Sequence, residues 1–177
     1  MRHSSLLLLA CISVCAIQAA QPASLRPFRW DMGPVAVPPE RHAVRIDGAS
    51  GYAPARGYGF ITSDLATYRN DRLAALGIGG IGDGVKKDGP IAFRIDAPPG
   101  RYILEVLMDA GRFTTWKGSI TVNGVGVAGP LMCFGTNTEG EMPPPFWGVM
   151  IPITNRETSL VVEVRAEGQP STIAGIG

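Results

Sequence analysis

The sequence predicts an all-β fold, an antiparallel β-sandwich of jelly-roll type. Short runs of alternating apolar and polar residues recur along the chain, as in strands with one buried face. Glycine, proline, asparagine and aspartate separate these runs, and the chain of 177 residues contains 23 glycines and 15 prolines. Eight or more short strands within one domain's length favour two packed sheets.

The clearest alternation lies in residues 101–109 and 160–166. The side chains expected on the inner faces are Tyr102, Leu104, Val106 and Met108 in the first run and Leu160, Val162 and Val164 in the second. Weaker alternation marks further strands at residues 42–47, where Val44 and Ile46 are expected inside, and at 91–96, 119–124 and 147–153. Turns are expected at residues 98–100, 123–124 and 155–157.

One segment is predicted to be helical and one to be a loop. Asp64 could cap a helix within residues 64–76, limited to one or two turns because Asn70 and Asp71 interrupt the apolar spacing. The glycine-rich residues 77–89 are expected to form a loop. That loop does not match a phosphate-binding loop, because Lys86-Lys87 is not followed by a hydroxyl residue at the start of a helix.

Residues 1–20 are predicted to be a secretory signal peptide, which leaves residues 21–177 as one domain. The segment has a basic start, a short apolar run and small residues before Gln21. An alternative is lipidation at Cys11, which follows Leu8-Leu9-Ala10. Either way the domain is expected to be secreted or periplasmic, with no membrane-spanning segment after cleavage.

Composition excludes several functional classes for residues 21–177. Removing Arg2 from the 16 basic residues leaves 15, against 15 acidic ones, so no nucleic-acid partner is expected. Cys133 stands alone, so no disulfide can form within the domain. His42 is the only histidine, and no Gly-x-Ser-x-Gly motif or zinc-ligand spacing is present. The domain is therefore expected not to be an enzyme.

Carbohydrate binding is better supported, because sugar sites combine exposed aromatic rings with polar side chains. Trp116, expected in a loop, or Tyr58 could stack on a sugar; the alternative for Trp116 is packing over the end of the sandwich. Trp30 and Trp147 are expected in the core. The expected hydrogen-bonding residues are Arg112, Asp109 and Asn137. No organic cofactor is expected, although Asp31, Asp47, Asp96 and Glu163 at strand ends could hold a structural calcium ion.

Residues 50–60, SGYAPARGYGF, are predicted to be a tight turn that leads into a strand beginning near Tyr58. Strand parity places Tyr58 and Phe60 together on the core face. Tyr52 and Arg56 are then left free in the loop as the ligand contacts of this stretch.

Several motifs resemble a known family. They are FRWDMG (28–33), GYAPARGYGF (51–60), FRIDAPPGRYILEVLMDAG (93–111), ITVNGV (120–125) and TIAGIG (172–177). In this order they are similar to the N-terminal galactose-binding-like β-sandwich of beta-agarases and YxiM-type SGNH esterases, including relatives of rhamnogalacturonan acetylesterase. The resemblance covers residues 27–177.

The resemblance implies an accessory module of a polysaccharide-active enzyme, with catalysis in a downstream, covalently linked domain. The expected partner is a polysaccharide or oligosaccharide. One alternative is a structural N-terminal fragment of an SGNH esterase or glycoside hydrolase. Another is a free-standing exported interaction protein without a sugar ligand.

Overall fold

The computed structural model describes residues 29–36, 43–69, 83–109, 115–134 and 146–177. Within these ranges the secondary structure consists of strands without helix. They are β1 (Trp30–Met32), β2 (Val44–Ile46), β3 (Tyr58–Phe60), β4 (Ala66–Arg69), β5 (Asp83–Lys87), β6 (Ile91–Asp96), β7 (Gly100–Asp109), β8 (Thr115–Val122), β9 (Val125–Phe134), β10 (Phe146–Asn155), β11 (Ser159–Ala166), β12 (Ser171–Ile173) and β13 (Gly175–Ile176).

The described strands form three sheets. The first has the order β10-β7-β13-β1-β2 and the second has the order β3-β6-β11-β8-β9. A small third sheet has the order β12-β5-β4. All pairings between named strands are antiparallel except that of β1 with β2, which is parallel. The predicted antiparallel β-sandwich is confirmed.

One hydrophobic core joins the inner faces of the two larger sheets. Trp30 of β1 packs at 5.6 Å from Phe93 of β6 and at 5.4 Å from Tyr58 of β3, measured between ring centroids. Phe60 meets Phe93 edge-on at 5.0 Å. Such tilted and edge-on contacts add roughly 1 kcal/mol each to the burial of the rings. The predicted core position of Trp30 is confirmed.

The strand faces follow the alternation in the two clearest runs. Leu104, Val106 and Met108 are buried in β7, and Tyr102 packs against the core. In β11, Leu160, Val162 and Val164 are likewise buried. In β2 the prediction holds only for Ile46, because Val44 is 48% exposed.

The turn signals are also confirmed. Asn123 and Gly124 connect β8 to β9 with φ angles of 50° and 76°, the left-handed conformations that a tight hairpin turn requires. Asn155, at the end of β10, donates from Nδ2 to the carbonyls of Ala97 and Glu157 at 3.0 and 2.8 Å. This buried amide fixes two neighbouring turns to each other.

The predicted helix within residues 64–76 is wrong where the structure describes it. Residues 66–69 form β4 and pair with β5, while Asp64 has a φ of 58° and does not begin a helix. The predicted loop of residues 77–89 is wrong for residues 83–87, which form β5 between β4 and β12. Cross-strand pairing on both sides of β5 overrides the weak strand preference of its glycine.

Two further results bear on the termini and the membrane. The proposed signal peptide and Cys11 lie outside the described residues. Among the described residues, no helix is long and apolar enough to cross a membrane.

Candidate functional site

Residues 50–60 fold into a compact loop whose first residues pair with β3. The amide of Tyr52 donates to the carbonyl of Phe60 at 2.7 Å, and the amide of Phe60 donates to Ser50 at 3.0 Å. The carbonyl of Ala53 accepts from the amides of Arg56 and Gly57, each at 2.9 Å. The loop is thus closed at both ends by backbone hydrogen bonds.

Gly59 allows the two arms of this loop to approach each other. Its φ is 143°, and a Cβ there would lie 2.6 Å from the carbonyl oxygen of Gly51 and from Cα of Tyr52. A side chain at this position would therefore push Tyr52 away from β3. The glycine that the sequence places beside Tyr58 has a specific steric role in positioning Tyr52.

The side chain of Tyr52 reaches the outer face of β6. Its hydroxyl donates to Oδ2 of Asp96 at 2.8 Å, and the guanidinium of Arg94 lies 4.4 Å from the centre of its ring. Arg94 also donates from Nε to Oδ1 of Asp96 at 3.2 Å. These three side chains form a closed triangle of contacts that orients the tyrosine ring.

Arg56 is fixed at the same loop. Its Nε donates to the carbonyl of Tyr58 at 3.2 Å, and Nη2 donates to the carbonyl of Gly51. The guanidinium also lies 5.3 Å from the centre of the Tyr58 ring. The carbonyl of the next residue, Gly57, accepts the amide hydrogen of Asp96 at 2.6 Å, so the backbone beside Arg56 is joined to the strand that carries the triangle. We call Tyr52, Arg56, Arg94 and Asp96 the Tyr52 platform.

The prediction that Tyr52 and Arg56 are free in the loop is therefore wrong, because both side chains are held by defined contacts. The core-side placement of Tyr58 and Phe60 is confirmed, since Phe60 is buried and Tyr58 packs against the core. Tyr58 consequently has one face committed to the protein interior, which weakens its predicted role as a stacking ring.

The platform has the chemistry of a sugar-binding surface. Arg94 and Asp96 each expose 38% of their side chains, and Arg56 is exposed. Among the described residues, no second aromatic ring or cation lies over Tyr52. The hydrogen bond to Asp96 raises the pKa of the Tyr52 hydroxyl above its ordinary value.

The other predicted site residues do not join the platform. Trp116 lies within β8, opposite Cys133 of β9, so its predicted place in a loop is wrong. Asp109 is the last residue of β7 and pairs with Phe146. Arg112 and Asn137 lie outside the described residues.

The register shows that Trp116 and the platform lie at opposite ends of the second sheet. Arg94 pairs with Val161 near the start of β11, whereas Ala166 at its end pairs with Gly118, two residues after Trp116. The path takes five residue steps along β11, from Val161 to Ala166, and two along β8, from Gly118 to Trp116. Seven such steps span roughly 23 Å along a strand. Trp116 and the Tyr52 platform therefore do not belong to one site.

The carboxylates considered for calcium have partners within the protein. Asp47 accepts from Ser50 Oγ at 2.6 Å, Glu163 pairs with Arg165 at 3.5 Å, and Asp96 belongs to the platform. Asp31 pairs with Arg45 at 3.1 Å. Within the described ranges, no three histidine, cysteine or acidic side chains are grouped so that they could hold a metal ion.

A second polar cluster is buried and has a structural role. Arg45 of β2 pairs through Nη2 with Asp31 of β1 at 3.1 Å and through Nη1 with Asp83 of β5 at 2.7 Å. The three side chains are only 10%, 2% and 4% exposed, respectively. The cluster connects the first sheet to the small third sheet, and its side chains are too buried to contact a sugar at the surface.

Arg94 is not among the residues predicted from the sequence for the site, and Asp96 is predicted only as a calcium ligand. Alternation in IAFRID (91–96) places both residues on the outer face of β6, and that signal was present in the sequence. The contact with Tyr52 depends on how the loop folds across the strand, for which the sequence alone gives no distance.

No protein-family model matches the chain, and no curated protein matches it. Solved structures do match. Protein YxiM from Bacillus subtilis has a TM-score of 0.60 and 18% identity over 84% of this chain and 38% of its own. A calcium-binding mutant of Bacteroides uniformis beta-glucuronidase 2 has a TM-score of 0.57 and 19% identity, over 84% and 17%.

The plant receptor-like kinase FER has a TM-score of 0.56 and 9% identity, over 84% of this chain and 40% of its own. This chain thus spans less than half the length of each of the three proteins. Identities this low establish the fold alone. The chain has a β-sandwich fold, which it shares with part of each of these proteins.

Proposed function

We propose that this chain is a non-catalytic carbohydrate-binding module that serves a polysaccharide-active enzyme. The observation that carries the proposal is the Tyr52 platform, a surface tyrosine whose ring and hydroxyl are fixed by Arg94 and Asp96 beside an exposed Arg56. The match of this fold to 38% of the longer YxiM chain supports an accessory role.

In this mechanism, the C–H face of a sugar ring stacks on the side of Tyr52 opposite Arg94. The guanidinium nitrogens of Arg56 and Arg94 donate to sugar oxygens, and Asp96 accepts from a sugar hydroxyl. One aromatic contact contributes about 1 kcal/mol beyond the burial of its area, so the affinity expected is weak, in the range of about 0.1–1 mM.

The proposal also covers export and the absence of catalysis. Residues 1–20 direct the domain out of the cytoplasm, and chemistry on the glycan belongs to a separate catalytic domain. A beta-agarase or an SGNH esterase is the proposed kind of enzyme, on the resemblance of the sequence motifs.

The test is affinity electrophoresis and calorimetry of residues 21–177 against agarose, pectin and xylan. Wild type is expected to be retarded by at least one of them. Tyr52→Ala removes the stacking ring and is expected to abolish the retardation, whereas Tyr52→Phe keeps the ring and loses only part of the affinity.

Thermal unfolding of both variants provides the control, because the platform lies at the surface and the melting temperatures are expected to stay close to that of wild type. Unchanged binding by a folded Tyr52→Ala protein would exclude the platform as the site. An absence of binding by wild type to every glycan would contradict the function itself.

A second candidate function is a purely structural domain of an SGNH esterase or glycoside hydrolase. The small share of YxiM and beta-glucuronidase 2 that this fold occupies favours it, since both proteins carry the fold within a longer chain. The glycan-binding test separates the candidates, because a purely structural domain is expected to bind none of the glycans. Reading the genomic DNA beyond codon 177 addresses a different question, since an open frame that continues into a Gly-Asp-Ser motif would identify the attached enzyme as an esterase under either candidate.

A further inference from the structure

We propose that the Tyr52 platform selects acidic glycans, in which a sugar carries a carboxylate or a sulfate group. This inference rests on the proposed carbohydrate-binding function and concerns the chemical class of the ligand. Its basis is the fixed guanidinium of Arg56, together with the charge balance of the four platform residues.

Arg56 has N–H donors that no hydrogen bond among the described residues uses. A guanidinium carries five N–H donors, and two of those on Arg56 are used by the carbonyls of Tyr58 and Gly51. The remaining three, on Nη1 and Nη2, are available to a ligand because no further acceptor for Arg56 occurs among the described residues. These nitrogens form the edge of the guanidinium that matches the two oxygens of an oxyanion.

The positive charge of Arg56 has no acidic partner in the described part of the chain. Both of its hydrogen bonds go to neutral carbonyls, which orient the side chain without cancelling its charge. The carboxylate of Asp96 lies beside Gly57, but it is bound by Arg94 at 3.2 Å and by the hydroxyl of Tyr52 at 2.8 Å. An oriented, uncompensated cation at the surface favours an anionic ligand over water.

The rest of the platform leaves this charge unbalanced. Arg94 is matched by Asp96, with 3.2 Å between Nε and Oδ1, and Tyr52 is neutral. Arg56 therefore gives the four residues a net charge of +1. A neutral sugar would stack on the Tyr52 ring and donate its hydroxyls to Asp96, but it would not neutralise the charge of Arg56.

Because Arg56 is held in position before a ligand binds, its preference for acidic over neutral glycans is expected to be large enough to measure. Because two backbone carbonyls and the Tyr58 ring already hold Arg56, little side-chain freedom is lost when a ligand binds. A charge-assisted hydrogen bond of this kind changes affinity by about tenfold or more, even after partial screening at the surface.

The experiment compares three arms by calorimetry or affinity electrophoresis with residues 21–177. They are polygalacturonate, which carries carboxylates; a sulfated galactan; and a neutral galactan. Wild type is expected to bind at least one acidic polymer about tenfold more tightly than the neutral one. The arm that binds identifies whether the carboxylate or the sulfate is preferred.

Arg56→Gln is expected to lose that preference, with about a tenfold weaker affinity for the acidic polymer and less than about a twofold change for the neutral one. Arg101→Gln is the matched control, because Arg101 is an exposed arginine on the other large sheet and its removal changes the net charge equally. The control is expected to retain the wild-type preference.

Salt provides a second readout, since added NaCl should weaken acidic binding of wild type much more than that of Arg56→Gln. Equal affinity for neutral and acidic polymers, or a loss of preference in both arginine variants, would overturn the charge selectivity and leave carbohydrate binding standing. No binding in any arm, together with no binding to agarose, pectin or xylan, would instead overturn the proposed function, and the acidic preference with it.

Discussion

Arg45 lies between two buried carboxylates, and this arrangement makes the stability of the domain depend on pH. Burial raises the pKa of the Asp83 carboxyl above its ordinary value of 3.8, while Arg45 and then Arg69 oppose the shift. A carboxyl whose pKa is raised by folding binds protons more tightly in the folded chain than in the unfolded one. Its stabilising contribution is complete below pH 3.8 and is lost as the pH rises through the raised value.

We therefore expect Asp83→Asn to remove one component of this pH dependence. Asparagine keeps an oxygen that can accept from Arg45 but cannot ionise. In urea unfolding between about pH 4 and pH 7, the free energy of unfolding of wild type should fall relative to that of the variant. Asp88→Asn, an exposed change just after β5, should follow wild type. Parallel curves for wild type and Asp83→Asn would contradict the prediction.

Single residues also show what the sequence could reveal about the site. Tyr52 and Arg56 could be predicted as ligand contacts because they lie in a glycine-rich loop. Aromatic and basic residues in such a loop seldom belong to the core. Arg94 and Asp96 could not be predicted in the same way. Two outward-facing residues on a strand show the same alternation in the sequence whether or not a loop covers them. Their role depends on the 2.8 Å and 4.4 Å contacts with Tyr52, which arise only from tertiary folding.

Among the elements, β5 shows most clearly how tertiary contacts override local preference. Gly84 lies where a Cβ would be 2.6 Å from the carbonyl oxygen of Ile173 and 2.7 Å from the hydroxyl of Tyr68. The glycine that suggested a loop is therefore required by the close approach of β12 and β4. By contrast, β7 and β11 could be predicted because each has one face in the core and one face outside.

We expect Gly84→Ala to destabilise the domain by about 1–3 kcal/mol, since backbone and tyrosine would have to shift to admit the methyl group. Gly126→Ala is the matched control, because β9 has open space at that position. It should change the free energy of unfolding by less than about 0.5 kcal/mol. Chemical denaturation measures both, and equal stability of the two variants would show that β5 is not packed as described.

At the scale of the whole molecule, the core and the strand register determine what can act together. Trp30 packs against Tyr58 and Phe93 across the sandwich, so the loop of the platform is anchored to the core. The same register separates Trp116 from Arg94 by most of the length of a sheet. The alternation of apolar and polar residues could predict the sandwich. Which loops lie together at each end of the sandwich depends on the strand order, which the alternation does not reveal.

The most direct test of the account is a two-dimensional amide NMR titration of residues 21–177 with an oligosaccharide that binds. We expect chemical-shift changes to be concentrated in residues 50–60 and 94–96 and to be absent from a Tyr52→Ala protein. Changes concentrated instead around Asp109 and Trp116, at the opposite end of the sandwich, would contradict it.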